Sequence, residues 1–396
     1  MAIKSVYLDY AATTYTDDAV LQEMTPYFRE IFGNASSQHA FGRKAIAAVD
    51  EARERVAKAL NARSGEIYFT SGGTESDNWA IRGAAEGAKG KGRHIITSAV
   101  EHHAVLHTLQ QLEKEGYEVT YLPVDSLGAV RVEEAVRAMR DDTVLVSVML
   151  ANNEVGTIEP IREIAREAKA RGIIMHTDAV QAVGLLPIDV QELGVDLLSL
   201  SGHKFYGPKG VGALYVRNGV KLAKLLIGGA QERSMRGGTY NTPAIVGLGK
   251  AIELAMSRLS DVPQMRALRD YFTQRVMSEI PRTALNGAEG DHRLPNSANI
   301  AFDGVDGEAL LQTLDRAGIA ASSGSACASG TMEPSHVLLA MNVPEGFRNG
   351  SVRFTLGKDT TKEEIDFAVD TLVKEVARLR NITSLFAQNP SEKSDV

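Results

Sequence analysis

Residues 173–210 open with Ile173-Ile174-Met175-His176-Thr177-Asp178-Ala179-Val180-Gln181 and close with Asp196-Leu197-Leu198-Ser199-Leu200-Ser201-Gly202-His203-Lys204, followed by Phe205-Tyr206-Gly207-Pro208-Lys209-Gly210. The runs Ile173–Thr177 and Asp196–Leu200 are short, apolar and continuous, as expected of strands covered on both faces. Each leads into a charged residue that burial penalises. A carboxylate such as Asp178 is costly at the end of an apolar strand unless a cation or several donors meet it. A helix N-cap is its ordinary use; a standing partner such as a protonated ring nitrogen is the more specific one. Lys204, beside a serine and a glycine at a strand end, packs poorly. It suits an amine held ready to form an imine with a carbonyl. The ordinary alternative is an exposed loop lysine, a role equally open to Lys209.

Outward from this stretch the pattern repeats. Glu66–Thr70, His94–Ser98, Glu118–Val124, Val144–Leu150 and Val211–Val216 are further strand candidates, with helical patterns such as His103–Glu115 and Ile161–Ala170 between several of them. Seven strands alternating with helices imply an α/β fold: a mostly parallel seven-stranded sheet with helices on both faces. From Pro295 onward, strands Ser297–Phe302 and Ser351–Leu356 mix with helices Gly307–Arg316 and Lys362–Leu379, which reads as a smaller α+β domain. The expected division is a large domain over 15–260, a small domain over 1–14 and 261–385, and a polar tail over 386–396, with residues 388–396 disordered or available to a partner.

Composition excludes several classes. The 43 basic and 50 acidic residues leave a formal charge of −7, so no global field draws the chain to nucleic acid or anionic lipid. No apolar run approaches the ~18 residues of a membrane span. The first residues carry no signal-peptide pattern, so the cytoplasm is the expected compartment. With one cysteine, no disulfide can form within the chain and a cysteine-based metal site is not expected.

In open α/β sheets ligands gather beyond the carboxyl ends of the strands, so the other strand ends are the places to read. Ser71-Gly72-Gly73-Thr74-Glu75-Ser76 follows the first strand. Two glycines and hydroxyls at a helix start free backbone N–H groups for an anion such as a phosphate; a capped helix after a tight turn is the simpler reading. Val100-Glu101-His102-His103 follows the second. Adjacent histidines do not share a helix face, so a shared metal ion is not expected, but one imidazole can stack on a flat ligand or move protons. Asn152 and Asn153 either form a turn or offer an amide to a ligand. Each signal alone is weak. Taken together, an anion cradle, a flat imidazole, a carboxylate and an imine-forming lysine are the equipment for pyridoxal 5′-phosphate.

Asp178-Ala179-Val180-Gln181, Ser201-Gly202-His203-Lys204, Arg236-Gly237-Gly238-Thr239 and Ser322-Ser323-Gly324-Ser325-Ala326-Cys327 together resemble the cysteine desulfurases of nitrogen fixation and iron–sulfur cluster assembly, in the class-V aminotransferase-like superfamily of fold-type I. The resemblance runs from Leu8-Asp9-Tyr10-Ala11-Ala12-Thr13-Thr14 to Arg353-Phe354-Thr355-Leu356-Gly357. It implies that Lys204 binds the cofactor aldehyde and shuttles the substrate α-proton. Asp178 would pair with the pyridinium nitrogen, Gln181 approach the ring oxygen and His102 stack on the ring and act in acid/base steps. Gly73, Thr74, Ser201 and His203 would hold the phosphate, and Thr239 would reach the phosphate of a second subunit, implying a homodimer. Asn153 would lie near ring and substrate. Arg353 and Asn34 would receive the carboxylate of L-cysteine, a task suited to a guanidinium fork.

A lone intracellular cysteine is usually inert and buried. The small residues on both sides of Cys327 form no core pattern and suit a mobile loop; the resemblance makes Cys327 the nucleophile that receives the sulfur as a persulfide and delivers it to protein acceptors. An iron–sulfur scaffold and a tRNA-thiolation relay are both open destinations. The reactive form is the thiolate, and His102 is one candidate for its activation. Ala35, Tyr15 and His103 depart from the commonest family pattern without touching the bond chemistry. Three other readings stand beside this one. A selenocysteine lyase or other pyridoxal-dependent lyase has no need of the Cys327 loop. A non-catalytic scaffold has no need of Lys204, Asp178 and Arg353. A metal-binding regulator rests on His102 and His103 alone.

Overall fold

The computed structural model describes residues 5–323 and 334–388. Its strands in chain order are β1 (Val6–Tyr7), β2 (Ile67–Thr70), β3 (His94–Ser98), β4 (Glu118–Leu122), β5 (Thr143–Ser147), β6 (Ile174–Asp178), β7 (Leu197–Ser201), β8 (Gly212–Val216), β9 (Thr283–Asn286), β10 (Ser297–Phe302), β11 (Ile319–Ala320) and β12 (Ser351–Thr355). Strands β2 to β8 form one sheet in the order β2-β8-β7-β6-β5-β3-β4. β8 is antiparallel to both neighbours and the other pairs are parallel.

Neighbouring residues on these strands enter opposite cores, as the two-residue period of a strand requires. Ile95, Leu145, Leu197 and Leu214 pack with Trp79, Ile81 and Ala84 of the helix Gly73–Gly87. Ile96, Val146, Leu198 and Ala213 pack on the other face with Val49 and Val56 of the helix Ala40–Ala59 and Ile164 of the helix Ile161–Ala170. Both faces are thus covered, which is why the strands read as continuous apolar runs. The strand expected over 144–150 ends at Ser147. Residues 148–150 stay buried, and the backbone N–H groups of Val148 and Leu150 donate to carbonyls of β6.

A separate core joins Val6 and Leu8 near the N-terminus to Phe272, Ile300, Leu314, Phe354, Val369 and Leu372. It lies between the antiparallel sheet β12-β10-β9 and the helices Val262–Glu279, Gly307–Arg316 and Lys362–Gln388. β1 pairs in parallel with β11, so the N-terminal segment is fastened to this second unit. The last helix runs to Gln388, past the expected end at Leu379; residues 389–396 of the expected tail lie outside the described residues. Among the described residues no helix is long and apolar enough to cross a membrane.

Candidate active site

The carboxyl ends of the central strands open into a cavity of about 420 Å³. Its walls bring together ten of the residues expected from sequence: Gly73, Thr74, His102, Asn153, Asp178, Gln181, Ser201, His203, Lys204 and Arg353. They come from the ends of five strands (β2, β3, β6, β7 and the stretch after β5) and from β12 of the second unit, so no short segment could form this lining.

Lys204 closes the single turn Gly202–Lys204 that follows β7. Its ammonium donates to the carbonyls of Ala11 at 2.5 Å and Ala12 at 2.9 Å. Gln181 Nε2 donates to the same Ala11 oxygen at 3.1 Å. The N-terminal segment therefore orients the amine that the sequence singles out. Asp178 ends β6 and accepts the Val180 N–H at 2.8 Å. Burial pushes its carboxyl up to about 6, against the pull of that N–H and of Lys204. A protonated ring nitrogen is the kind of partner that would reverse this burial cost.

His102 is the N-cap of the helix His103–Lys114, its Nδ1 accepting the Ala104 N–H at 3.1 Å. Burial, then Lys204, lowers it to about 4, so it presents a neutral, flat ring. His203 is lowered to about 4 by burial, then by Lys204 and Lys209, and its Nδ1 lies 3.1 Å from the Thr13 hydroxyl. At Gly73 a Cβ would stand 2.7 Å from Val180 Cγ2. The helix start thus lies hard against the segment after Asp178, leaving backbone N–H groups of the first turn to face the cavity.

Arg353, on β12, is buried. It donates to Asp9 Oδ1 and to the Asn153 carbonyl, both at 2.9 Å. Its Nε has no hydrogen-bond partner among the described residues. A buried guanidinium with an unmet donor beside an open cavity is suited to a carboxylate. The backbone of Arg353 pairs both ways with Ser322, and the Ser335 hydroxyl donates to buried Glu154. Both flanks of residues 324–333 are therefore anchored on cavity walls.

Two expected residues stand elsewhere. Asn34 is exposed, its Oδ1 accepting the Ser36 N–H at 2.9 Å, and Thr239 is exposed on the loop before the helix Thr242–Ser257; neither lines this cavity. Cys327 lies outside the described residues. The structure in turn adds Ala11, Ala12, Asp77, Glu154 and His336 to the lining, and Asp9 behind it. Asp77 follows Gly73 by four residues and so shares its helix face, but a lone acid in a helix carries no local sign of burial. His336 approaches from beyond residue 333, its ring tilted 46° to that of His103 with centroids 4.8 Å apart, a contact no local pattern signals. Among the described residues no group of three or more His, Cys, Asp or Glu is placed to hold a metal ion.

Comparison with known proteins adds an independent line. The family described as aminotransferase class-V matches residues 6–367. A protein of Clostridium botulinum (strain Hall) named cysteine desulfurase IscS is 53% identical over 395 residues, covering 98% of this chain and all of the relative. Among solved structures, a NifS-like protein superposes with a TM-score of 0.89 at 40% identity, covering 95% of this chain and 100% of the other. SspA in complex with cysteine superposes with a TM-score of 0.79 at 39% identity, covering 89% and 99%.

Proposed function

The chain belongs to the class-V aminotransferase family, as a pyridoxal-phosphate-dependent cysteine desulfurase, and on that premise we propose that it converts L-cysteine to L-alanine while Cys327 takes up the sulfur as a persulfide for iron–sulfur cluster assembly. The observation that carries this reading is the meeting of Lys204, Asp178, His102 and Arg353 around one cavity.

The residues fit the cofactor. Lys204 is the amine for its aldehyde, Asp178 the counter-charge for its ring nitrogen and His102 the flat face beside its ring. Gly73, Thr74, Ser201 and His203 form an anion cradle at a helix start, and Gln181 and Asn153 supply amides to ring and substrate. When bound, pyridoxal phosphate supplies an electron sink for negative charge developing at the substrate α-carbon. Lys204, already oriented by the Ala11 and Ala12 carbonyls, is the group that removes and returns the α-proton. Arg353 orients the substrate through its carboxylate; Asn34, which the resemblance pairs with it, stands outside this cavity. The Cys327 thiolate attacks the substrate sulfur. The S–S bond forms as the C–S bond breaks, and the carbon left behind takes a proton to become the methyl group of alanine. Cys327 follows Ser323 by four residues, a span of at most about 14 Å when extended, and Ser322 pairs directly with Arg353. That short tether supports delivery of the thiol to the cavity.

The proposal includes a homodimer. Thr239 is exposed on this chain and would complete the phosphate site of a second copy. Phe28, Phe32, Phe41 and Ile227 are large apolar side chains left 67%, 66%, 56% and 90% exposed, with the Phe32 and Phe41 rings 5.8 Å apart; side chains of this kind suit burial between copies. We take residues 15–260 as the large domain and 1–14 with 261–385 as the small one, the cytoplasm as the compartment and tRNA thiolation as a second outlet for the sulfur.

The test is mass spectrometry after brief exposure to L-cysteine. A one-sulfur adduct confined to the Cys327 peptide is expected. Cys327→Ser should keep the yellow cofactor but release no sulfide in the presence of a thiol reductant. Unchanged sulfide and alanine production by Cys327→Ser would overturn the persulfide and favour a lyase.

A further inference from the structure

Asp77 is a buried acid that the chemistry above does not use. It lies on the helix Gly73–Gly87, one turn after the anion cradle, and it lines the cavity with Asp178. It is 1% exposed, and its Oδ1 has no hydrogen-bond partner among the described residues. The basic side chain at that oxygen is His176, whose Nε2 stands 3.7 Å away. That ring is held from both ends by hydroxyls: Nδ1 lies 2.8 Å from Ser147 Oγ and Nε2 lies 3.0 Å from Ser199 Oγ. It is fully buried, and burial lowers it to about 3, so it is neutral and supplies no counter-charge. The other groups acting on Asp77 are the carboxylates Asp178 and Glu101, which oppose its ionisation, and the Ser199 hydroxyl, which favours it. Lys204 acts on Asp178. Two buried carboxylates in one site do not both ionise at low cost; one keeps a proton.

We propose that Asp77 is a positioning residue for the cofactor's ring nitrogen: a neutral acid that leaves Asp178 as the single negative charge which the protonated nitrogen meets. The inference rests on the cofactor assignment above and extends it. Asp77 and Asp178 line one cavity, and a neutral carboxyl there offers an O–H dipole that, turned toward Asp178, favours its charged form. Without that donor Asp178 becomes the stronger base and draws the proton from the ring nitrogen to itself. The electron sink then weakens although every residue touching the cofactor is still present. Neutral His176 and the hydroxyls of Ser147 and Ser199 form the floor of this arrangement.

The experiment uses the full-length protein loaded with pyridoxal phosphate labelled with ¹⁵N in the ring, read by NMR between pH 6 and 9. In the parent protein the ring nitrogen should stay protonated. Asp77→Ala should move its deprotonation at least one pH unit lower, a tenfold loss of proton affinity, and weaken cofactor binding by about the same factor. Asp77→Asn, which keeps a neutral donor of the same shape, should restore both. An Asp77→Ala protein with the parent titration would overturn the proposal, as would an Asp77→Asn protein that behaves like Asp77→Ala. If Asp77→Ala does not fold, Asp77→Asn decides alone, because loss of the protonated ring there would mean that the ionised acid is required. Parent protein that takes up no cofactor, or whose ring signal is unmoved by Asp178→Asn, would instead defeat the cofactor assignment.

Discussion

Replacing Glu101 by glutamine should make the protein more stable in alkali while leaving it nearly unchanged in acid. Glu101 is 0% exposed. Its Oε1 accepts the Ser98 hydroxyl at 2.5 Å and the Met149 N–H at 3.0 Å, and its Oε2 has no partner among the described residues. Burial raises the carboxyl from 4.5 to about 8; the two hydrogen bonds pull it back, and Asp178 and Glu159 add to the rise. Below pH 4.5 the folded and unfolded chains both hold the proton, and the group contributes its full share. Between pH 4.5 and 8 the unfolded chain releases the proton and the folded chain keeps it, so stability falls as pH rises. At 1.36 kcal/mol per pH unit over that interval, the loss approaches roughly 4–5 kcal/mol as an upper limit. Glutamine keeps an oxygen for Ser98 and Met149 and cannot ionise. Its added amide lacks an acceptor, a cost of about 1 kcal/mol. Urea unfolding of both proteins at intervals from pH 5 to 9 should therefore show a gap of about 1 kcal/mol or less at pH 5. By pH 8.5 the gap should widen to several kcal/mol in favour of Glu101→Gln. A gap independent of pH would refute the argument, because it would mean that Glu101 is ionised in the folded protein throughout.

Lys204→Ala should leave a folded protein that stays colourless after incubation with pyridoxal phosphate and dialysis; retained visible absorbance would remove Lys204 from its role. Arg353→Lys keeps the charge but loses the fork. The loss of one charge-assisted hydrogen bond, about 1.5–3 kcal/mol, should raise the KM for L-cysteine by roughly 10- to 150-fold with cofactor colour intact, and steady-state kinetics would show it. Away from the cavity, Arg53 meets Glu232 through two hydrogen bonds of 2.7 Å, with side chains 7% and 2% exposed. Arg53→Ala leaves that carboxylate buried and unpaired and should cost about 3–5 kcal/mol in urea unfolding; a loss below 1 kcal/mol would show that Glu232 finds another partner or a proton.

What the sequence makes legible follows from where the physical cost of a residue is local. The strands stand out because burial on both faces demands apolar runs, and β6 and β7 can be read within a residue or two. Asp178 and Lys204 stand out for the converse reason: a charge at the end of such a run is unfavourable unless a task holds it there. Asp77 does not stand out, since a lone acid in a helix reads as solvated surface, and only the packing of that helix on the sheet shows that it is buried. Nor does the pairing of Arg353 with Asp9, 344 residues away, which meets it where Asp9 bridges to Thr355 of β12. Cys327 is the opposite case, prominent in sequence and outside the described residues.

The formal charge shows the same limit in a form that bears on function. Counted as ionised, Asp77, Glu101, Glu154 and Asp178 would place four negative charges on or behind the wall of a cavity that must accept a phosphate and a carboxylate. Burial is the largest influence on each and raises all four. The wall therefore bears fewer charges at neutral pH than its composition implies, and the cation of Arg353 and the helix start at Gly73 act on an anion against weaker opposition. Protonation set by burial, which composition cannot record, is what reconciles an acidic lining with anionic ligands.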